Sequence, residues 1–217
     1  MLTIYGFPIS SCTKRVALIL HEKLVPFRLV TVGPQDFKSP EHIKRQPFGQ
    51  IPVLYDDDYH LYESRAIARY INAKHADKGT PNLAPLADDH HGVGKFEMAC
   101  SIEYSQFAPL VDRLMKEVIF QELRQQPVDE AVRASLKASL EAKFDVYNNI
   151  LKEQDYLAGD NVSLADLFHL PECDLIVHKF DRDIIESREH VAKWWKNLSD
   201  RASWLAVKDG VQSTPSS

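Results

Sequence analysis

The run Gln46-Pro47-Phe48-Gly49-Gln50-Ile51-Pro52-Val53-Leu54 constrains this chain more than any other stretch. It passes from a turn, marked by Pro47 and Gly49, into a short apolar strand with a proline where pairing should begin. A proline has no N–H to give a sheet ladder, so it suits a strand's first residue or its edge. A sharp entry can use a cis Ile51–Pro52 bond, because the trans preference before proline is only about 0.5–1 kcal/mol. Open backbone at such an edge can accept an extended peptide as an added strand. Shortly afterwards Leu61-Tyr62-Glu63-Ser64-Arg65-Ala66-Ile67 reads as a strand end followed by a helix start, with Ser64 as the expected N-cap. Backbone N–H groups beside a hydroxyl at that point suit a carboxylate.

The chain before this run predicts a strand over Leu2–Gly6, a loop Phe7-Pro8-Ile9, and a helix from Ser10 or Ser11 to about Lys23. Thr13, Val16, Ile19, Leu20 and Leu24 recur there at helical spacing. Phe27–Val32 reads as a second strand, and a short helical stretch follows Pro40. Ile51–Tyr55 and Tyr59–Tyr62 form a hairpin around three aspartates, and a helix starting near Ser64 carries Ile67, Tyr70 and Ile71 on one face. The order β-α-β-α-β-β-α over residues 1–75 predicts a small mixed sheet covered by helices.

Gly79, Pro81 and Pro85 break the periodicity over 76–87, which reads as a linker between domains. Beyond it strand signals nearly vanish. Residues 93–120 read as one long helix or two, kinked by Pro109. Val132, Leu136, Leu140, Phe144, Tyr147 and Leu151 mark an amphipathic helix. Ser163-Leu164-Ala165-Asp166 is a capping motif, and Val191, Trp194, Trp195 and Leu198 share one face of a later helix. Gly210–Ser217 reads as a loose tail.

A length of 217 residues accommodates two domains, and 44% hydrophobic with 26% charged residues is ordinary for a globular protein. A net charge of −5 gives no reason to expect nucleic-acid binding. Cys12, Cys100 and Cys173 are odd in number and widely spaced, which argues against a disulfide framework and for a reducing compartment. The first residues show no secretory leader, and no run approaches the roughly 18–20 apolar residues needed to span a membrane. A cytoplasmic protein is expected.

Together, Pro-Phe-Gly-Gln-Ile-Pro and Glu-Ser-Arg-Ala-Ile resemble the glutathione-binding half of cytosolic glutathione transferases, most closely the phi class. The resemblance implies a thioredoxin-like α/β domain over 1–75, followed by an all-helical domain over 88–217 that contributes the electrophile site. It implies a homodimer with Phe48 at the contact, and glutathione as co-substrate with no permanently bound cofactor or metal. The thiol of glutathione has an ordinary pKa near that of cysteine, about 8.5, and the thiolate is the nucleophile. Favouring it by about two pKa units takes roughly 2.7 kcal/mol, the order of one charge-assisted hydrogen bond plus a helix N-terminus. Set against the phi pattern, Thr13-Lys14-Arg15-Val16 makes Ser10 the thiolate-stabilising donor. Ser11 remains a rival one residue along, and Thr13 supports the loop. Serines before helices also simply cap them.

The resemblance further assigns Ile51, ahead of Pro52, the backbone pair with the cysteinyl unit. Gln50, Glu63 and Ser64 take the peptide and γ-glutamyl end, and Lys38 the glycyl carboxylate. The family's His-Lys-Ser-Pro is here Phe37-Lys38-Ser39-Pro40, which removes an imidazole contact. The hydrophobic electrophile would meet Phe7, Ile9 and Phe37, with Phe107, Met115, Ile119 and Phe120 from the helices, though aromatic residues at helical spacing usually pack inward. Asp88-Asp89-His90-His91 reads as a solvated helix start, because adjacent helical residues do not face each other. His169, His178, Trp194 and Trp195 read as packing residues. Peroxidase activity with glutathione is compatible with the same thiolate. Two other readings stay open: a binding protein on the same scaffold, and a thiol transferase using Cys12.

Overall fold

The computed structural model describes residues 1–215. Two compact units emerge: Met1–Leu83 with the chain from Asp200 onward, and Ala84–Ser199. The first holds β1 (Leu2–Gly6), α1 (Ser11–Glu22), β2 (Phe27–Thr31), α2 (Pro40–Arg45), β3 (Val53–Asp56), β4 (Tyr59–Tyr62) and α3 (Ser64–Lys74). The second holds α4 (His90–Ile102), α5 (Ala108–Leu114), α6 (Phe120–Leu123), α7 (Glu130–Glu153), α8 (Leu164–Leu175), α9 (Asp183–Glu186) and α10 (Glu189–Ser199), and α11 (Ala202–Leu205) returns to the first. The expectation that all of 88–217 lies with the helices is therefore amended from Asp200 onward.

The sheet order is β2-β1-β3-β4. β1 runs parallel to β2 across the α1 crossover, and β3 runs antiparallel to both β1 and β4. This is the thioredoxin-like arrangement followed by an all-helical part. β3 is an inner strand, so Pro52 stands ahead of the ladder and not on an edge; the Ile51–Pro52 bond is cis. Leu2 and Ile4 bury one face of β1, and the middle of α1 is apolar, with Val16 through Leu20 fully buried.

Leu24 departs from its expected place on the α1 face. Lys23 is the C-cap, and Leu24 follows in a left-handed conformation (φ 52°) with 76% of its surface exposed. Leu24 N–H bonds to the His21 carbonyl at 3.1 Å and Val25 N–H to the Leu20 carbonyl at 2.9 Å. This paired closure satisfies the last carbonyls of the helix, and it turns Leu24 outward in spite of its spacing.

Glu22 fastens the returning segment. Its side chain is 2% exposed and accepts from Arg201 Nε at 2.6 Å and Nη2 at 2.7 Å, and from the Ser203 and Thr80 hydroxyls. Lys23 Nζ donates to the Thr80 carbonyl at 2.8 Å. Gly79 permits this approach, because a Cβ there would lie 2.0 Å from the Glu22 carbonyl oxygen. Beyond α11 the tail is not loose. Thr214 N–H bonds to the Phe27 carbonyl at 3.0 Å, Phe27 N–H to Thr214 Oγ1 at 2.7 Å and Leu29 N–H to Ser213 Oγ at 2.9 Å. The tail occupies the open edge of β2, which would otherwise offer unpaired donors; residues 216 and 217 lie outside the described residues.

In the second unit residues 90–123 run as one helical path through two π-helical turns, Glu103–Phe107 and Met115–Ile119. The first precedes Pro109, whose missing N–H cannot complete a regular ladder. Leu136, Leu140, Phe144, Tyr147 and Leu151 form the buried stripe of α7. Asp166 organises the start of α8: it accepts from Leu157 N at 2.8 Å, Ser163 N at 2.9 Å, Ser163 Oγ at 2.8 Å and Trp194 Nε1 at 3.0 Å. His169 is fully buried between Tyr147 and the Ala165 carbonyl, as a packing residue should be. His178 is a correction: 54% of its side chain is exposed beside Asp174.

Asp166→Ala leaves several buried donors unpaired and is expected to cost about 3–5 kcal/mol in urea denaturation, with Asp166→Asn losing less. A loss below about 1 kcal/mol would remove this network from the account. For Glu22, burial pushes its carboxyl up, but the bonds from Arg201, Ser203 and Thr80 and the Arg201 charge outweigh burial and hold it below the ordinary glutamate value. A carboxyl depressed by folding stabilises the protein above its unfolded pKa and loses that contribution as pH falls through the folded one. Arg201→Met should cost about 3–5 kcal/mol at pH 7. Burial is then opposed only by the Ser203 and Thr80 hydroxyls, so the Glu22 pKa rises relative to wild type and the gap between the two proteins should narrow as pH falls below the ordinary 4.5. A gap that stays constant from neutral pH into the acid range would contradict this assignment.

Candidate functional site

Register places the site. Val53 stands opposite Tyr5 on one side and Tyr62 on the other. The chain leaving β1 (Phe7 to Ser10), the chain entering β3 (Gln50 to Pro52) and the chain leaving β4 (Glu63 and Ser64) therefore lie at one end of the sheet. α1 follows β1 and α3 follows β4, so two helix N-termini open at that same end. Both offer backbone N–H groups and a positive dipole end.

Ser10 is the N-cap residue of α1 with extended backbone (φ −66°, ψ 130°), and its hydroxyl makes no capping hydrogen bond. Its backbone is held from both sides: its N–H bonds to the Phe7 carbonyl at 3.0 Å, and its carbonyl accepts from Lys14 N at 2.9 Å. Ser11 is the first helical residue. Thr13 is fully buried, and its Oγ1 accepts from Phe7 N at 3.3 Å. A Cβ on Gly6 would fall 2.7 Å from that oxygen, so loop and helix are closely fitted.

Ser64 is a small correction to its expected role. It is the first residue of α3, and Glu63 is the N-cap at φ 70°, ψ 106°. A non-glycine residue held there carries strain of about 1–3 kcal/mol, sustained by its surroundings. Ser64 is 6% exposed and its Oγ accepts from Arg15 Nη1 at 2.8 Å, while Glu63 is exposed. Arg15 is itself wholly buried and also reaches Cys12 Sγ at 3.6 Å.

A second group surrounds the turn before β3. Gln46 is 1% exposed, and its Oε1 accepts from Phe48 N at 2.6 Å and Gln50 N at 3.3 Å. His42 Nε2 lies 2.8 Å from the Gln50 carbonyl, which can only accept, so this nitrogen carries the proton. Lys38 Nζ donates to the Phe48 carbonyl at 2.6 Å. Gln50 is exposed, Ile51 half-buried and Pro52 buried. Phe37 packs near His42, with ring centroids 6.3 Å apart. Sequence reasoning assigned no role to Arg15, His42 or Gln46. Only Gln46 carried a signal: a side-chain acceptor two residues ahead of a turn N–H competes for backbone hydrogen bonds.

Of the proposed apolar contacts, Phe7 and Phe37 are half-buried and Ile9 is 65% exposed, all on the first unit. Within the second unit Phe107 is fully buried against Phe144 and His169, and Ile119 is 4% exposed. Inward packing claims Phe107, as aromatic residues at helical spacing commonly do. Met115 is half-buried and Phe120 is 39% exposed. His90 and His91 are exposed at the start of α4, capped by Asp89. Among the described residues no cluster of three or more His, Cys, Asp or Glu is arranged to hold a metal, and no helix is long and apolar enough to cross a membrane.

Residues 1–73 match the family described as glutathione S-transferase, N-terminal domain, and residues 98–202 match glutathione S-transferase, C-terminal domain. Glutathione S-transferase F10 of Arabidopsis thaliana is 39% identical over 212 residues, covering 95% of this chain and 96% of the relative. Glutathione S-transferase hmp2 of Hypomyces subiculosus is 38% identical over 208 residues, covering 94% and 96%. The crystal structure of poplar glutathione transferase F1 superposes with a TM-score of 0.89 at 37% identity, covering 96% of each chain.

Gly49 gives a direct test of the turn. It sits at φ 62°, and an added Cβ would lie 2.6 Å from the Phe37 carbonyl and 2.8 Å from Lys38 Nζ. Gly49→Ala should cost about 1–3 kcal/mol through the left-handed backbone and the displaced neighbours. Equal urea midpoints for Gly49→Ala and wild type would show that the turn is not held as described.

Proposed function

The chain belongs to the glutathione S-transferase family, is most similar to its phi class and uses glutathione as co-substrate, and from that premise we propose that Ser10 is the donor that activates the thiol. The observation that carries this is the Ser10 hydroxyl, placed at the N-cap of α1 yet making no capping bond. A thiolate beside it would accept one O–H hydrogen bond and lie at the positive end of a 12-residue helix. Both effects favour the anion, so the bound thiol ionises closer to neutral pH. The thiolate then attacks an electrophilic carbon, a carbon–sulfur bond forms, and the leaving group departs with its electron pair or the adduct takes up a proton. Ser10 is not consumed.

The remaining assignments follow the chain. The backbone of Ile51 would pair with the cysteinyl unit, with Pro52 fixing the entry into β3. Gln50, Glu63 and Ser64 would hold the peptide and γ-glutamyl end. Lys38 would meet the glycyl carboxylate, and Thr13 would keep the Ser10 loop against the helix. On the first unit Phe7, Ile9 and Phe37 would offer apolar surface to an electrophile; on the second unit Met115 and Phe120 are the more accessible of the helical candidates. We also place the protein in the cytoplasm as a homodimer. Its three cysteines are free, Cys173 is fully buried with its thiol pushed up by desolvation, and Phe48 is 64% exposed for a partner contact.

The test is a pH titration of the thiolate absorbance of bound glutathione. In wild type the midpoint should fall about two units below the free thiol, and Ser10→Ala should return it toward about 8.5 and lower turnover about 100-fold. Loss of the shift in Ser11→Ala but not in Ser10→Ala would move the donor by one residue. An unperturbed thiol in wild type would leave a binding protein and no thiol activation.

A further inference from the structure

We propose that the C-terminal segment 208–211 is a clamp that positions the Ser10 hydroxyl, through two hydrogen bonds made on either side of that serine. The inference rests on the reading above that Ser10 is the thiol-activating donor. Phe7 is tied to Thr13, but the two residues between Phe7 and Ser10 are lightly packed. Pro8 is half-buried and Ile9 is 65% exposed, and together with Leu205 and Val211 they line an open cleft of about 620 Å³. Pro8 has no N–H, so its carbonyl is the one backbone group it can pair, and that carbonyl accepts from Val211 N at 3.1 Å. On the other side of Ser10, Lys14 reaches two ways. Its N–H bonds to the Ser10 carbonyl at 2.9 Å, and its Nζ donates to the Lys208 carbonyl at 2.6 Å.

The clamp is itself anchored. Trp204, Val207 and Val211 are at most 2% exposed, Lys208 N–H bonds to the Trp204 carbonyl at 2.9 Å, and Gly210 N–H bonds to the Val207 carbonyl at 3.1 Å. Gly210 has φ 138°, a backbone that residues with a side chain rarely adopt, and the chain bent there presents Val211 N–H to Pro8. Glu22 and Arg201 fasten the start of the same returning chain to the far end of α1. A 12-residue helix of about 18 Å is therefore tied to this chain near both of its ends. One carbon separates a serine hydroxyl from its backbone, so the place of Ser10 Oγ follows the backbone closely. Hydrogen bonds weaken steeply as they bend, and a misplacement of about 1 Å can cost about 100-fold in rate. Losing either tie lets the loop drift while the other glutathione contacts stay, so the thiol loses activation more than the ligand loses affinity. Lys14 and Val211 do not touch the thiol in this account and act through Ser10.

The experiment titrates the thiolate absorbance of bound glutathione in wild type, Val211→Pro, Val211→Ala, Lys14→Met and Lys14→Arg, and measures kcat and KM against pH with an aryl halide as electrophile. Val211→Pro removes the N–H that Pro8 accepts, whereas Val211→Ala keeps it and removes only side-chain packing. Val211→Pro should raise the thiol midpoint by about 0.5–1 pH unit and lower kcat about 3–10-fold near neutral pH, with the KM for glutathione within about twofold. The deficit should shrink at about pH 9, where the thiol ionises unaided. Val211→Ala should lower the urea midpoint and leave the thiol midpoint within about 0.2 pH unit of wild type. Lys14→Met should raise the thiol midpoint as Val211→Pro does, and Lys14→Arg, which keeps a charged donor, should restore it. An unmoved thiol in Val211→Pro, or an equal rise in Val211→Ala, would overturn the proposal. If Val211→Pro does not fold, Lys14→Met carries the same titration in about 1 M salt, which screens the lost charge beyond about 3 Å: a raised midpoint supports the clamp and an unmoved one overturns it. Ser10→Ala separates the two readings. A thiol that Ser10→Ala leaves unmoved would overturn the role of Ser10 itself, whereas a rise in Ser10→Ala with none in the Val211 and Lys14 variants would overturn only the clamp.

Discussion

The site depends on the placement of Val53 opposite both Tyr5 and Tyr62. A slip of one residue in either ladder would exchange the faces of a strand and misplace every group at that end of the sheet. With this register, three short chain segments and two helix N-termini open at one end of a four-stranded sheet. Such an end suits anions before any particular side chain is considered, because each helix start presents unpaired N–H groups there. The side chains then refine a field that the backbone already provides.

Holding that geometry requires polar groups in places where apolar ones are ordinarily found. Arg15, Gln46 and His42 are each at most 1% exposed, and each reaches a neighbouring chain segment: Ser64, the Phe48–Gln50 turn and the Gln50 carbonyl respectively. Desolvating such groups is costly unless their hydrogen bonds are made in the folded state. Breaking one leaves a buried donor or acceptor behind, so they fix conformation more than they add net stability. The Glu22–Arg201 pair follows the same logic away from the site and ties the returning C-terminal segment to α1. The tail on β2 then closes the sheet edge opposite β4, so both the helix that carries Ser10 and the strand beside it are braced by residues far along the chain.

The order of strands and helices was legible because the periodicity changes plainly from 2 to 3.6 and turn residues mark the boundaries. The mixed sheet, the α7 stripe and the Ser163–Asp166 cap were readable for that reason. Contacts formed at long sequence separation were not. The bonds from Ser213 and Thr214 to β2 join residues more than 180 positions apart, and nothing local in Gly210–Pro215 announces them. Leu24 misled because spacing cannot show where a helix closes with a left-handed residue. Phe107 stayed open between two readings because the same spacing serves a core and a ligand wall. Ser64 was placed one residue early because the N-cap belongs to Glu63, whose positive φ has no signature in its side chain. At the site, the motif residues were visible in the sequence, while the buried groups behind them were not.

The strongest competing account of Ser10 is that it merely starts a helix. A serine that caps through its hydroxyl contributes typically about 1 kcal/mol relative to alanine, and this one makes no such bond. The capping contribution is therefore absent, although the residue occupies the right position with the right backbone angles. Ser39 shows what capping through the hydroxyl looks like: its Oγ accepts from His42 N at 3.2 Å. The fold thus caps helices with serine where stability alone is at stake and leaves the hydroxyl of Ser10 uncommitted where two helix starts meet. Ser64, at the other helix start, has its oxygen engaged by Arg15 Nη1 at 2.8 Å. On the assignment proposed above, one hydroxyl without a cap and one braced by an arginine would serve a ligand with a thiolate at one end and a carboxylate at the other.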